Sequence, residues 1–168
     1  STIWCIIQAN ELYKWNDFDK IVISTGDSEN NSTDYSYSHQ EDINKTIPDF
    51  NFHAWNEVGI NDYSDFIDDI HLSGLKSPEI HKVGWIGSIN NHNLRNKFYD
   101  IGQKNNDCME IMSMKWKSSN NIKLNSTTYI STPDLVKKYS ILIDIEGAGY
   151  SGRVKHLLWS HRPLIIID

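Results

Sequence analysis

The sequence predicts an α/β protein built on a Rossmann-like open sheet whose strands are mostly parallel. From residue 82 to residue 168, short apolar runs alternate with segments of helical periodicity, a pattern typical of parallel sheets. The last unit is the clearest. An apolar run over 139–145 is followed by a glycine-rich turn, by Val154, Leu157 and Leu158 at helical spacing, and by an apolar run over 164–167. This order predicts a β-α-β unit.

The first eighty residues, roughly, give a weaker pattern. The sequence predicts short strands over 2–9 and 20–24, a long polar surface loop over 26–46, and a further strand over 50–55. A helix is predicted over 62–72, because Phe66, Ile67 and Ile70 are spaced to line one helical face. A connector containing Pro78 follows over 76–81.

The elements after this connector follow in regular order. We predict a strand over 83–86, a helix over 94–103, a strand over 108–114, a loop over 118–121 and a short helix ending near Lys138. Thr132 is the predicted N-cap of that helix, and Pro133 takes its first position. The pattern divides the chain into an N-terminal lobe over 1–75 and a second lobe over 76–168. Because the pattern stops in an apolar run at 164–168, we expect the sequence to be part of a longer protein.

Composition and charge argue against several classes of protein. The 168 residues carry a formal net charge of −6, which argues against a general nucleic-acid binder. No apolar run approaches the length of a transmembrane segment. Cys5 and Cys108 match no metal or redox spacing, so we expect each to be a small buried residue, with one disulfide left open. The localisation stays open between the secretory pathway and the cytoplasm.

The turn after residues 139–145 has the chemistry of an anion site. Gly147, Gly149 and Gly152 let the backbone come close to a ligand, and the first N–H groups of the next helix point at it. Arg153 adds a planar guanidinium suited to phosphate. The spacing also fits G-x-G-x-x-G, but the acidic partner expected about twenty residues later could only be Asp168. The alternative is an ordinary tight turn beside a solvated arginine.

A second turn of the same kind follows the strand predicted over 83–86. It contains Gly87, Ser88 and His92, and Arg95 lies just inside the next helix. Ligands of open parallel sheets bind beyond the carboxyl ends of the strands, so two such turns could hold two ends of one ligand. The alternative is that these are simply polar loop residues.

Three segments also carry a resemblance to a known family. They read I-P-D-F-N-F over 47–52, W-I-G-S-I-N-N-H-N-L-R over 85–95, and K-Y-S-I-L-I-D-I-E-G-A-G-Y-S-G-R-V-K-H-L-L over 138–158. In this order they resemble the capsule-associated-protein family of glycosyltransferases, which includes the protein O-glucosyltransferases of Notch-type domains and fungal capsule xylosyltransferases. The last segment is the most specific of the three.

The resemblance implies a two-lobed hexosyl- or pentosyltransferase of the GT-B type. Such an enzyme takes sugar from a nucleotide donor, usually UDP-linked, and passes it to a hydroxyl of a protein or glycan acceptor, with no metal or other cofactor at the chemical step. Residues 1–75 would form the acceptor side and residues 76–168 the donor side. The implied role of Arg153 is to offset charge on the leaving UDP. The expected donor-binding residues are Ser88, His92, Arg95, Glu146, Gly147, Ala148, Gly149, Tyr150, Ser151, Gly152 and Arg153.

The sequence departs from the family at two places. Ile86 stands where the family usually has an arginine between the Trp and the Gly. No residue falls in the position of the family's catalytic Asp, so the base that takes the acceptor proton is left open among Glu57, Asp62 and His53. Each of these three is also readable as an ordinary surface residue.

Two other interpretations stay open. Asp144 and Glu146 fall on the same face of a strand and faintly resemble the paired carboxylates of metal-dependent glycosyltransferases. The chain could also be a catalytically degenerate module that binds a nucleotide sugar or a carbohydrate. Activity that survives a chelator would argue against the metal-dependent interpretation. Measuring sugar transfer beside UDP binding would distinguish an enzyme from a binding module.

Overall fold

A computed structural model describes residues 2–14, 20–26, 33–37, 42–49, 53–56, 59–114, 117–119, 122–124, 129–147 and 151–167. The helices are α1 (Thr2–Tyr13), α2 (Tyr63–Gly74), α3 (Asn93–Lys104), α4 (Thr132–Lys138) and α5 (Val154–Leu157). The strands are β1 (Ile23–Ser24), β2 (Tyr35–Ser36), β3 (Ile80–Gly87), β4 (Met109–Ser113), β5 (Lys117–Ser119), β6 (Ile122–Leu124), β7 (Tyr139–Ile145) and β8 (Leu164–Ile167). Single 3-10 turns span Ile43–Lys45 and Ile89–Asn91.

Four parallel strands form the central sheet in the order β4-β3-β7-β8. The chain leaves β3 through α3 to reach β4 on one side, and leaves β7 through α5 to reach β8 on the other. The strand order therefore reverses between β3 and β7, which is the topological switch point of an open α/β sheet. The prediction of an α/β fold with a Rossmann-like open parallel sheet is confirmed.

Each face of the sheet has its own apolar core. On one face, α3 contributes Phe98, which packs with Trp85 of β3, Ile111 of β4 and Ile143 of β7. The other face is covered by α2, α4 and α5. Its core contains Phe66, Ile67, Ile70, Ile86, Leu135, Val136, Leu142 and Leu157. The two layers fix both sides of the edge at which β3 and β7 end.

The helix predicted over 62–72 is confirmed as α2, and its three apolar residues are buried. Asp62 caps it, because its side chain accepts hydrogen bonds from the backbone N–H groups of Ser64 and Asp65. The predicted division at residue 75 stays a prediction. Residues of α2 share their apolar core with the sheet, so this core extends across the division.

The predicted strand over 2–9 is wrong, because these residues begin α1. A short apolar run rich in β-branched residues cannot be told from a helix by periodicity alone, and α1 continues to Tyr13, past the end of the run. The strand predicted over 20–24 is confirmed only as the two residues of β1. The strand predicted over 50–55 lies mostly outside the described residues, and Trp55 forms an isolated bridge with Ile60.

Two predicted loops contain regular structure. Residues 26–46 include β2, which pairs in parallel with β1, and Ser36 and Tyr37 there are buried. Ser118 and Ser119 belong to β5, which pairs with β6 in an antiparallel hairpin, whereas residues 120–121 lie outside the described residues. Backbone pairing defines these strands, and their polar side chains gave no alternating signal. The N-cap of α4 is Ser131, one residue before the predicted cap.

The cysteines differ from expectation. Both are free thiols, Cys5 is partly exposed and Cys108 is exposed, so the prediction of small buried residues is wrong. Cys108 lies in the turn between α3 and β4, where its thiol contacts the carbonyl of Asn105. In the described part of the chain, no helix is long and apolar enough to cross a membrane.

Candidate functional site: the crevice between two strand ends

The turns after β3 and β7 meet at the switch point, and Arg95 joins them. Its Nε donates to the carbonyl of Glu146 at 2.7 Å, its Nη2 to that of Ile145 at 2.6 Å, and its Nη1 to that of Ser88 at 3.2 Å. The guanidinium also lies over the ring of Trp85, 5.5 Å from the centroid. Burial lowers the pKa of Arg95, and the nearby Arg153 lowers it further, against the raising effect of Asp144 and Glu146.

This arrangement brings together the two turns that the sequence singled out, with Arg95 engaged by backbone carbonyls. Gly147 lies directly beside it, because a Cβ at that position would come within 3.4 Å of the Arg95 Nη2. The geometry makes Arg95 a crosslink between the turns. Its predicted contact with a donor stays a prediction.

Arg153 sits at the centre of a second contact set. Its Nη1 donates to the carbonyl of Ile86 at 2.7 Å, and its Nε lies 3.7 Å from the Oδ1 of Asp144. The same Oδ1 accepts a hydrogen bond from the Ser151 hydroxyl at 2.8 Å. The Asp144 side chain is 1 % exposed and that of Arg153 is 23 % exposed. Burial lowers the pKa of Arg153, and the neighbouring Asp144 and Tyr129 oppose that shift.

Ile86, one of the two places at which the sequence departs from the resembled family, lies beside Arg153. The side chain of Ile86 is buried in the apolar core against α2, α4 and α5, and only its carbonyl reaches the crevice. An arginine side chain there would enter an apolar layer. The guanidinium of Arg153 reaches the strand end at this position, where it binds the Ile86 carbonyl.

Two residues beyond Arg153, Lys155 forms a buried ion pair with Asp49. The Nζ of Lys155 contacts both carboxylate oxygens of Asp49, at 2.8 and 2.9 Å. The side chains are 18 % and 6 % exposed, so the pair is largely removed from water. Burial lowers the pKa of Lys155, and Asp49 opposes the shift. The pair ties the segment 42–49, part of which belongs to the I-P-D-F-N-F segment, to the start of α5.

His92 and Glu146 approach each other across the mouth of the crevice. The Nε2 of His92 lies 3.9 Å from the Oε1 of Glu146, and both side chains are partly exposed. His92 precedes the 12-residue helix α3 and makes no side-chain cap hydrogen bond. The free N–H groups that begin a helix favour an anion. By contrast, α5 is a single turn of four residues, so its dipole adds little beside Arg153.

Several predicted site residues lie elsewhere or outside the described residues. Ala148, Gly149, Tyr150 and Glu57 fall outside them, and Gly152 lies in the described turn before α5. Of the candidate bases, the Asp62 carboxylate caps α2, and the ring of His53 stacks on Trp4 at a centroid distance of 4.0 Å. Neither contact places these groups at the strand ends, and the identity of a base stays open.

The carboxylates predicted to share a strand face differ in their surroundings. Asp144 is inside β7 and contacts Ser151 and Arg153, whereas Glu146 lies beyond the strand end near His92. Among the residues that the structure describes, no group of three or more His, Cys, Asp or Glu side chains could hold a metal ion. Arg153 and Arg95 lie close to the carboxylates of Asp144 and Glu146. The net positive charge of this sheet edge is therefore smaller than Arg153 by itself predicts.

His156 is a buried neutral histidine beside this cluster. It is 4 % exposed, packs edge-on against Phe66 at 5.1 Å, and its Nε2 has no hydrogen-bond partner in the described structure. Burial, reinforced by Lys155, lowers the pKa of His156 to about 4. The unfolded chain would protonate this group near its ordinary value of about 6.5.

We expect this histidine to make the fold sensitive to acid. Because its folded pKa lies below the unfolded value, the unfolded chain binds the extra proton between about pH 6.5 and about 4, and stability falls as the pH falls through that window. Between pH 6.5 and 5 the loss is about 2 kcal/mol. Urea unfolding of the parent and of His156→Phe at pH 7 and pH 5 checks this. The Phe variant should lose about 2 kcal/mol less on acidification, and equal losses would contradict the assignment.

Sequence reasoning missed two features of the site. The pair of Lys155 and Asp49 joins residues that are 106 positions apart, and no local pattern signals such a contact. The role of Asp144 as partner of Arg153 was also missed. Its position inside an apolar strand, one residue before the strand ends, was the available signal, because a buried carboxylate needs a cation or several donors.

Comparison with known proteins adds no family to this geometry. No protein-family model matches the sequence, and no curated protein matches it. The resemblance of residues 47–52, 85–95 and 138–158 to a glycosyltransferase family therefore stays a prediction. The fold and the contacts at the two strand ends are what the site offers to a functional argument.

Proposed function

We propose that the chain binds the diphosphate of a nucleotide sugar, most simply a UDP-sugar, in the crevice between the turns after β3 and β7. One observation carries the proposal. The two polar, glycine-containing turns lie side by side at the switch point of a parallel sheet, which is where open α/β sheets bind ligands. The two strand ends already lie side by side, so a ligand could contact both turns at once.

The start of α3 and part of the Arg153 guanidinium support an anionic ligand there. The helix α3 begins at the crevice with no side-chain cap, so its first N–H groups favour an anion. The Arg153 guanidinium has five N–H groups, and only part of this capacity goes to Ile86 and Asp144. A bound diphosphate would meet the start of α3 and the part of the Arg153 side chain, 23 % of its surface, that stays exposed.

The proposed reaction is direct displacement at the sugar carbon. The bond from this carbon to the diphosphate oxygen breaks, the acceptor hydroxyl oxygen forms the new bond, and its proton passes to a base. The electron pair of the broken bond leaves on the diphosphate, so Arg153 stabilises a charge that grows in the transition state. In this proposal the fold is of the two-lobed GT-B type, and the acceptor is a hydroxyl of a protein or glycan.

A second candidate is a module that binds a nucleotide sugar or a carbohydrate without transferring sugar. The contacts of Asp62 and His53 favour it, because each group is engaged in a local structural role. The two candidates share the donor site and differ only in the presence of a working base.

Titration calorimetry with UDP and UDP-sugars, beside an assay of sugar transfer and hydrolysis, tests both candidates. The enzyme proposal expects UDP binding and turnover that persists in EDTA. UDP binding with no turnover on any donor tried would leave the binding module. Turnover that EDTA abolishes would contradict the proposal that the chemical step needs no metal. Failure of UDP, GDP and their sugars to bind would contradict the donor site itself.

A further inference from the structure

Two histidines meet at the amino edge of the sheet, opposite the crevice. His71 lies in the last turn of α2, and His161 lies in the turn between α5 and β8. The Nε2 of His161 is 2.7 Å from the Nδ1 of His71, with ring centroids 4.5 Å apart and the ring planes inclined at 64°. His161 is exposed and His71 is partly exposed. The two nitrogens thus face each other at hydrogen-bond distance on an exposed part of the surface.

The backbone on both sides of this pair is held firmly. Gly74, at the end of α2, packs so closely on the turn that a Cβ would lie 1.8 Å from the carbonyl oxygen of Ser160. Arg162 donates to the carbonyl of Lys76 at 2.6 Å and to that of Val136 at 3.1 Å. These contacts hold in place the two backbone segments that carry the imidazoles, before any ligand binds.

The conformation of His161 adds a second observation. Its φ of 52° lies in the left-handed region, which is unfavourable for a residue other than glycine. The surrounding contacts hold the residue in this conformation, and it directs the imidazole at His71. Backbone strain that positions a chemically active side chain is characteristic of ligand sites.

We propose that His71 and His161 form a two-histidine site for a late first-row divalent cation such as Zn²⁺ or Ni²⁺. Neutral imidazole nitrogens are favoured ligands of these ions, and two of them on separate elements form a chelate. Without metal, one ring donates its N–H to the other. When the metal binds, the proton of the donating ring moves to the other nitrogen of that ring, so that both facing nitrogens offer a lone pair and both rings stay neutral. A small rotation of the rings opens the required space, and water completes the coordination shell. The site would connect α2 to the turn before β8 and stabilise the folded chain.

Calorimetric titration of the chain with ZnCl₂ at neutral pH, with thermal unfolding beside it, tests the site. The matched variants are His71→Asn and His161→Asn, since asparagine tolerates the left-handed backbone at position 161. The control is His81→Asn, at an exposed histidine near the start of β3. This site is independent of the proposed donor site, so neither result depends on nucleotide binding.

We expect one Zn²⁺ to bind with an affinity that either variant lowers on the order of 100-fold, because each removes half of a chelate. A variant with both changes should bind Zn²⁺ no more tightly than either single variant, and Zn²⁺ should raise the melting temperature of the parent and of His81→Asn only. The proposal is overturned if the parent does not bind Zn²⁺, or if both variants bind it as the parent does.

Discussion

Replacing Arg153 with alanine is expected to lower the free energy of unfolding by about 3 kcal/mol and to abolish UDP binding. The change leaves the carboxylate of Asp144, which is 1 % exposed, without its cation, and leaves the carbonyl of Ile86 without its donor. An uncompensated buried charge is among the most costly single defects. Urea unfolding followed by circular dichroism measures the first effect, and calorimetric titration with UDP measures the second.

A lysine at the same position separates folding from binding. Arg153→Lys keeps a cation near Asp144, so most of the stability should remain, but it loses the planar fork and should bind UDP on the order of tenfold more weakly. The matched control is Arg162→Lys, because Arg162 also donates to two backbone carbonyls but lies at the opposite edge of the sheet. Its UDP affinity should equal that of the parent. Parent-like affinity in Arg153→Lys would remove Arg153 from the donor site.

Breaking the pair of Lys155 and Asp49 is expected to cost about 3 kcal/mol for either single change, Lys155→Met or Asp49→Leu. Each change leaves one charge in a setting that excludes most water. The double variant should be more stable than the sum of the two losses implies, with a coupling of about 2 kcal/mol. Urea unfolding of the four proteins completes the cycle.

The pair of Lys137 and Glu79 supplies the control cycle. Its nitrogen–oxygen distance is 3.1 Å, but the side chains are 53 % and 51 % exposed. Solvent screens such a pair, so its coupling should be about 0.5 kcal/mol or less. If the coupling free energy of Lys155 and Asp49 were as small as that of Lys137 and Glu79, the ion pair would not be what holds segment 42–49 against α5.

The second half of the fold was predictable because its signals are local. Apolar runs of strand length that are separated by amphipathic segments specify β3, β7 and β8, and the carboxyl ends of β3 and β7 follow from the parallel order. The N-terminal part was not predictable in this way. Residues 2–9 lack alternation, and α1 buries none of its residues, so no amphipathic stripe marked it as a helix.

The sequence predicted which residues form the site better than it predicted their contacts with one another. The sequence singled out Arg95, Arg153, Ser151 and Glu146, and the structure brings all four to one edge. It gave no sign that Arg95 would bind backbone carbonyls or that Arg153 would be paired with Asp144. Such partners depend on long-range packing, which one sequence does not display. The expected concentration of positive charge is accordingly offset by carboxylates.

The most direct test of the donor site is an amide ¹H–¹⁵N titration of the chain with UDP, which a protein of 19.4 kDa allows. The account predicts that the shifts concentrate at residues 88–95 and 144–153, on both turns at once. It also predicts that the amides around His71 and His161, at the opposite edge, stay unchanged. Saturable shifts confined to some other surface, or no shifts at ligand concentrations that saturate nucleotide-sugar enzymes, would contradict it.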